Sequence, residues 1–458
     1  MNKAGLKIII VGAGKIARTV VAQLVEEGHD LTVVDIDSAV VDEFTQEYDC
    51  MGVVGNGATY ATLKEAGIAS ADLFIAVTQS DELNLLCCTI AKQFSDAATI
   101  ARVRNPEYNR EVGYLRNKLG LAMIINPELE ASREIARILF LPTALEINSF
   151  AHGHAEMIKI RLPEGNMLEG KSIAFLGQKV TNEVLICAVE RDGNLVIPHG
   201  DFVLMAGDII SFAATRKSCL SFLKQIGFTT KGVKDTMIVG GGIASYYLAD
   251  QLIRSGISVR IIERDKAKCE FMSEALPKAT LINGDATDRK LLLEAGLHNA
   301  QSFVPLTGID EENIILALFA KDVSNAKLVT KITRITFTEV VDQLDLGSIV
   351  YPKFITSELI LKYVRAKMGA KNSSSNIESL YHMFNSRAEA LEFTVNSGSP
   401  VIGVPLKDLK LKKDVLIGFI CHDDAIIIPS GNDMIQDGDS VMVVTTHHGF
   451  ASIEDILS

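Results

Sequence analysis

The sequence lacks a basic excess: 45 Lys and Arg stand against 57 Asp and Glu, for a net charge of −12. Broad nucleic-acid binding needs basic patches that neutralise phosphates, so it is disfavoured, as is electrostatic adhesion to anionic lipid. No apolar run approaches the ~18–20 residues that span a bilayer. The longest candidate, Val415 to Ile428, is cut by His422, Asp423 and Asp424. The opening "LKIIIVG" is too short for a signal-peptide core, and no small-residue cleavage site follows it. The seven cysteines show no CxxC spacing, so they read as reduced cysteines of a cytoplasmic protein rather than a zinc site. There is no GxSxG elbow and no GxxxxGK[ST] phosphate loop; ATP bound by this chain would be sensed rather than hydrolysed.

What is present is a chain with 48% hydrophobic and 22% charged residues. It has room for three or four domains of ~100–150 residues each. "VGAGKIARTVVAQL" from Val11 returns as "VGGGIASYYLADQL" from Val239. Gly12, Gly14 and Asp35 fall on Gly240, Gly242 and Glu263 at one constant shift. With one residue gained, "GNGATYATLKEAGI" falls on "GDATDRKLLLEAGL", "TQSDELN" on "TGIDEEN", and Arg102 on Lys331. "VIPHGDFVLMAGDIISF" then matches "IIPSGNDMIQDGDSVMV", including the turns Gly207–Asp208 and Gly438–Asp439.

The chain is therefore two tandem units of about 230 residues. Short β-branched runs ("KIIIVG", "LTVVD", "LFIAVT", "TIARV") alternate with helical patterns in the larger part of each unit. This is the pattern of an α/β fold: two tandem Rossmann-like, doubly wound parallel-sheet domains, each followed by a small α+β, strand-rich domain. The expected divisions are 1–143, 144–230, 231–370 and 371–458. "GFTTKGVKD" from Gly227 reads as the linker between halves, and "AKNSSSN" from Ala370 as a connection within the second. "PELEASREIARILFLP" from Pro127 places Leu129, Ile135, Ile138 and Leu139 at helical spacing.

Each glycine phrase has a chemical reading. The first glycine permits a tight turn, the second lets backbone approach a pyrophosphate, and the third small residue, here Ala17 or Ser245, lets helix pack on strand. The helix that follows directs free N–H groups and its positive end at phosphate. Asp35 and Glu263 lie about 20 residues on, where a carboxylate accepts hydrogen bonds from ribose hydroxyls. A carboxylate there repels a 2′-phosphate, which favours NAD(H) over NADP(H); ATP or ADP satisfies the same contacts. Arg102 and Lys331 end later strands, where they would either touch phosphate or cap an acidic rim. Lys15 and Arg18 have no counterparts in the second half, which carries Ile243 and Tyr246 instead. Arg264, beside Glu263, is placed to draw that carboxylate away.

These phrases resemble the Trk system potassium uptake protein A family, cytoplasmic subunits built from two RCK (KTN) nucleotide-binding domains, each followed by a small RCK C-terminal domain. The resemblance spans the chain and rests on "GAGKIA", Asp35, "GNGATYATLKEAGI", "TQSDELN" and "ARVRNPEY", with degenerate copies in the second half. It implies NAD(H) and adenine-nucleotide binding through Gly12, Ala13, Gly14, Lys15, Ile16, Asp35, Thr78, Gln79 and Arg102. In the second half it implies Gly240, Gly241, Gly242, Ile243, Ala244, Glu263, Thr307 and Lys331. It further implies a tetrameric ring, peripheral on the inner face of the cell membrane, that controls an integral-membrane potassium transporter or channel subunit, with no nucleic-acid partner. By the same analogy, the helix after Pro127 crosses over to lock neighbouring domains together, and the helix after Pro352 joins it in ring contacts.

The rival class is an NAD-dependent oxidoreductase, which pairs its nucleotide domain with a proton-transfer residue beside the nicotinamide. The small duplicated domains offer no such set, so no catalytic residue is expected. His152 and His154 would share a strand face but lack a third metal ligand, His447 and His448 would point to opposite sides of a strand, and no metal site is expected. The acidic turns Asp423–Asp424 and Asp437–Asp439 read as solvated carboxylates.

Overall fold

The computed structural model describes residues 5–179, 183–334, 338–369, 375–423 and 425–458. Its first sheet is six-stranded and wholly parallel, in the order Met51–Val54, Asp30–Asp35, Lys7–Val11, Leu73–Ala76, Ala98–Arg102, Met123–Ile125. The central run "KIIIV" is buried at four of its five positions, as a strand covered on both faces by helices must be. Strand order reverses between Lys7–Val11 and Leu73–Ala76, which opens a crevice at the carboxyl edge. The second sheet repeats the pattern: Thr280–Asn283, Ser258–Glu263, Asp235–Val239, Ser302–Pro305, Lys327–Lys331, Ser348–Val350.

Each parallel sheet is followed by a five-stranded antiparallel one. The first runs Asn194–Val196, Leu185–Arg191, Ile209–Thr215, Ala155–Arg161, Glu146–Phe150, and the second has the corresponding strands in the corresponding order. The two small sheets share one core, in which Phe150, Met157 and Cys187 meet Met383, Phe419 and Met442. Phe150 packs edge-on to Tyr381 with ring centroids 5.0 Å apart. Glu392 accepts the Ala151 N–H at 2.7 Å across that seam.

The two halves exchange helices. Helix Pro127–Phe140 starts at Asn126, whose side chain accepts from the Leu129 N–H, with Pro127 at the first position. Its buried Ile135, Ile138 and Leu139 join Ile238 and Val304 of the second parallel sheet and Leu248 and Leu252 of helix Ile243–Arg254. Helix Pro352–Gly369 returns the favour: Ile360, Leu361 and Val364 pack with Ile8 of the first sheet, with Val20 and Leu24 of helix Lys15–Glu26, and with Leu391 and Phe393 of the second small domain. The expected crossover is thus present within one chain, each half lending the helix that covers the other. From the second of these helices the buried Arg365 donates to Glu27, at the end of helix Lys15–Glu26, and to Glu389 of the second small domain.

The interdomain stretch from Gly227 is pinned, because the Val233 N–H donates to the Leu139 carbonyl at 3.1 Å. Residues Ala370 to Ser374 of the second connection lie outside the described residues.

Candidate nucleotide sites

Gly12 takes φ +95°, and a Cβ there would lie 2.8 Å from the Thr78 nitrogen, so the close approach of loop and neighbouring strand requires glycine. The turn delivers the chain into helix Lys15–Glu26, whose N-cap Gly14 supplies no side-chain cap. The first-turn N–H groups are left to an external acceptor, and a Cβ on Gly14 would meet nothing within 4 Å. An uncapped helix start facing open space suits an anion. Ala17 is fully buried against the strand, the small third position that lets helix and sheet close up. Asp35 accepts from the Ala13 N–H at 2.7 Å and the Asp37 N–H at 3.1 Å. Two backbone donors fix the carboxylate beside the glycine loop and leave it lone pairs for ribose hydroxyls.

Thr78 and Gln79 follow strand Leu73–Ala76 at the same edge, and their arrangement depends on two residues that the sequence reading quoted without assigning. Asn84, fully buried, accepts from the Thr78 N–H at 2.8 Å and hydroxyl at 2.7 Å, and donates to the carbonyls of Thr78 and Arg102. It buckles two adjacent strand ends together. Asp81 accepts from the N–H groups of Arg104 and Asn105, both at 2.8 Å. The second half repeats both devices: Asn313 joins Thr307 to Lys331, and Asp310 accepts from Thr333 and Arg334. Asp and Asn at matching places in "TQSDELN" and "TGIDEEN" were the available signal. Replacing Asn84 by alanine orphans the Thr78 N–H and removes a donor from the carbonyls of Thr78 and Arg102. It is expected to cost about 2–3 kcal/mol, read as a lowered urea midpoint, and Asn313→Ala should behave alike.

Arg102 turns inward. It donates to Glu128 of the first crossover helix at 3.1 Å, and burial draws its guanidinium below the usual range. Lys331 donates to the Leu306 carbonyl at 3.1 Å, its ammonium likewise lowered by burial. Both therefore hold the sheet edge. Arg18 pairs with Glu43 and Glu47 on the neighbouring helix.

In the second phrase Gly240 takes φ +97°, Gly242 is an uncapped N-cap for helix Ile243–Arg254, and Ala244 follows in the first turn. Glu263 accepts from the Gly241 N–H at 2.5 Å and the Asp265 N–H at 2.7 Å, and is only 8% exposed. A Cβ on Gly241 would meet Glu263 Cγ at 2.9 Å and Met272 Sδ at 3.0 Å. The longer acid is thus folded under its own loop. Arg264 does not draw it away: its charge acts instead on Asp285, which its own turn with Thr287 holds below the usual carboxylate range.

The carboxyl edges of the two parallel sheets face each other. A cavity of 520 Å³ lies between Gly241, Gly242, Ile243, Tyr246 and Met272 on one side and Gln79, Asp81 and Arg104 on the other. Reciprocally, Lys15 faces Arg334 and Asp310; burial and the Arg334 charge draw its ammonium down. A larger cavity of 1490 Å³ contains no residue of either glycine phrase and lies between the crossover helices and the small domains. Within it burial pushes the Glu134 carboxyl up to about 8, with Glu146 adding to the rise.

Among the described residues no group of three or more His, Cys, Asp or Glu is placed to hold a metal. His152 and His154 do not share a strand: His152 sits in a tight turn at φ +53°, between the strands Glu146–Phe150 and Ala155–Arg161. His447 bonds to the Lys413 carbonyl, and His448 lies 3.2 Å from Glu389.

Residues 8–127 and 236–352 match the TrkA-N domain family, and 157–227 and 390–458 match the TrkA-C domain family. The chain is 31% identical over 445 residues to a Trk system potassium uptake protein TrkA of Haemophilus influenzae, covering 96% of this chain and 95% of that one. It is 30% identical over 451 residues to a TrkA homolog of Archaeoglobus fulgidus, covering 98% and 100%. Among solved structures, the GsuK channel bound to NAD superposes with a TM-score of 0.63 at 19% identity, covering 97% of this chain and 77% of that one. The GsuK RCK domain gives 0.62 at 19% identity, covering 97% and 93%. At such identity these two show the fold alone. Duplicated glycine loops, the matched domains in alternating order, and relatives aligned along nearly the whole length place the chain in the Trk system potassium uptake protein TrkA family.

Proposed function

We propose that the chain is the nucleotide-sensing regulatory subunit of a potassium uptake system. In this reading it is cytoplasmic, peripheral at the inner face of the membrane, and controls a membrane-embedded ion-translocating partner. The observation that carries it is the uncapped helix start at Gly14 beside a carboxylate, Asp35, fixed by two backbone N–H groups. That set fits the pyrophosphate and ribose of NAD(H), and equally ATP or ADP. A structural neighbour is named as bound to NAD and another as bound to ADP. The relatives are potassium uptake proteins by name, not oxidoreductases.

No helix among the described residues is long and apolar enough to cross a membrane, so ion passage in this reading belongs to the partner. Leu86 and Ile315, at repeat-related positions of helices Asp81–Phe94 and Asp310–Val323, are 50% and 64% exposed. The relatives' family, read by resemblance, assembles as a tetrameric ring, and these two repeat-related exposed side chains are where contact between copies would be tested first. Nucleotide then acts by differential affinity for two ring arrangements. Inverting their populations takes ~5.5 kcal/mol, which several sites supply with preferences of ~1–2 kcal/mol each.

The test is calorimetric titration with NADH, NAD, ATP and ADP of wild type, Asp35→Ala and Glu263→Ala. Saturable binding without turnover, weakened about 10- to 150-fold in Asp35→Ala by loss of a charged hydrogen-bond acceptor, is the expected outcome. Absence of binding in the wild type rejects the reading.

A further inference from the structure

The second glycine helix reaches the edge of the first site directly. Tyr247, one turn into helix Ile243–Arg254, is 7% exposed and donates its hydroxyl to the Arg104 carbonyl at 2.8 Å. The same oxygen accepts from Asn126 Nδ2 at 3.1 Å. Asn126 also caps the first crossover helix and donates to the Arg104 carbonyl at 3.4 Å. One turn further, Gln251 donates to Ser132 of that crossover helix at 2.8 Å. Arg104 in turn closes on the first site: its N–H is held by Asp81, and its guanidinium donates to the Gln79 carbonyl. Two hydrogen bonds, through Arg104, therefore separate Tyr247 of the second glycine helix from Gln79.

Among the described residues this link runs from the second glycine helix to the first site. At the repeat-related position the first glycine helix carries Thr19, whose hydroxyl bonds to Lys15 of its own helix. The second crossover helix begins beside Tyr351 where the first has Asn126. Tyr247 of the second half thus meets Asn126 and the Arg104 carbonyl of the first in a buried triangle whose repeat-related positions carry different residue types, Thr19 and Tyr351.

We propose that Tyr247 is a positioning residue through which occupancy of the second glycine phrase sets the nucleotide affinity of the first. Anion capture at the uncapped start of helix Ile243–Arg254 moves that helix along its axis. Tyr247 carries the movement to the Arg104 carbonyl and, through Asn126, to the first crossover helix. Because Asn84 buckles Arg102 to Thr78, the whole edge that presents Thr78 and Gln79 shifts as one. Such coupling is reciprocal, so the first site acts back on the second to the same extent. The proposal rests on the nucleotide reading of both phrases.

The experiment is NADH titration of the full chain, with Asp35→Ala and Glu263→Ala each leaving one phrase intact. In wild type the two-step isotherm should depart from the sum of the two single-phrase isotherms by about fivefold or more in the second step. In Tyr247→Phe, paired with the same two variants, the full curve should equal the sum, while each single-phrase affinity stays within about twofold of its parent. Asn126→Asp is the second variant: it keeps the helix cap and replaces the donor that faces Tyr247 with an acceptor, and the same loss of coupling is expected. A wild-type curve equal to the sum, a single step per chain, or coupling that survives both substitutions overturns the proposal and leaves nucleotide sensing standing. No binding at all removes the nucleotide reading itself.

Discussion

Replacing Arg365 by methionine is expected to lower the urea midpoint of unfolding by an amount corresponding to about 3–5 kcal/mol. Arg365 is 2% exposed and holds two carboxylates, Glu27 and Glu389, that arrive from different domains. Methionine fills a similar volume, so what is lost is charge rather than packing. It leaves the half-buried Glu27 and the buried Glu389 without the guanidinium they share, with His29, His382 and His448 as their remaining basic neighbours. Burial works against the charged form of Glu389, yet hydrogen bonds from His448 and Arg365 hold its carboxyl at about 2. Its folded value thus lies below the ordinary 4.5, so its stabilisation is complete above that value and is lost as pH falls from 4.5 towards 2. His448 runs the other way. Its hydrogen bond to Glu389 raises its value above 6.5, so its contribution is present in acid and fades as pH rises past the raised value. The junction is therefore tightest between those limits, and the cost of Arg365→Met should shrink as pH falls, because protonation neutralises the carboxylates left without the guanidinium. Adding Glu27→Gln and Glu389→Gln to the methionine variant should recover much of the loss, because it removes the orphaned charges. A drop of under about 1 kcal/mol for Arg365→Met would show that water or local movement relieves the pair.

The same junction shows which features the sequence could and could not display. Glu27 and Arg365 lie 338 positions apart, and no local pattern announces such a pairing. Strands such as "KIIIV", the glycine turns and the tandem repeat were legible, because each follows from local periodicity or from backbone that only glycine permits. The geometry of the glycine loops, with Asp35 and Glu263 held beside them by backbone N–H groups, was legible for the same reason. Partners supplied by another element were not. Arg102 looked like a phosphate ligand or a rim cap, and the fold gives it Glu128. Asp439 read as a solvated turn carboxylate, whereas it is 1% exposed, accepts from the Gln436 N–H and pairs with His422 at 2.6 Å. The hydrogen bond to Asp439 raises the His422 value. The alignment of Gly207–Asp208 with Gly438–Asp439 already held that clue, since Asp208 caps the equivalent turn and binds Arg191. The exchange of crossover helices was reached by resemblance, not by periodicity, because an apolar stripe tells that a helix is covered and not by what.

Gly14→Ala and Gly12→Ala, two positions apart in the motif, should fail in different ways, and the difference separates a binding loop from a merely structural turn. At Gly14 the backbone is extended and a Cβ meets no protein atom within 4 Å. The variant should fold with an unchanged urea midpoint. The added methyl projects into the space from which a pyrophosphate would approach the helix start, so nucleotide affinity should fall about tenfold or more, equivalent to about 1.4 kcal/mol. At Gly12 the backbone sits at φ +95° and a Cβ would lie 2.8 Å from the Thr78 nitrogen and 2.9 Å from its Cα. Both are backbone atoms of Thr78, which cannot swing aside as a flexible side chain would, and the left-handed conformation adds a cost of about 1–2 kcal/mol. Gly12→Ala should therefore lower stability and affinity together. If Gly14→Ala bound nucleotide as wild type does, the open space before the helix would not be the phosphate cradle, and the conformation of the loop would be explained by the turn at Gly12 alone. If both variants lost binding but only Gly12→Ala lost stability, the two glycines would be doing separate work: one shaping the loop, the other keeping its mouth clear.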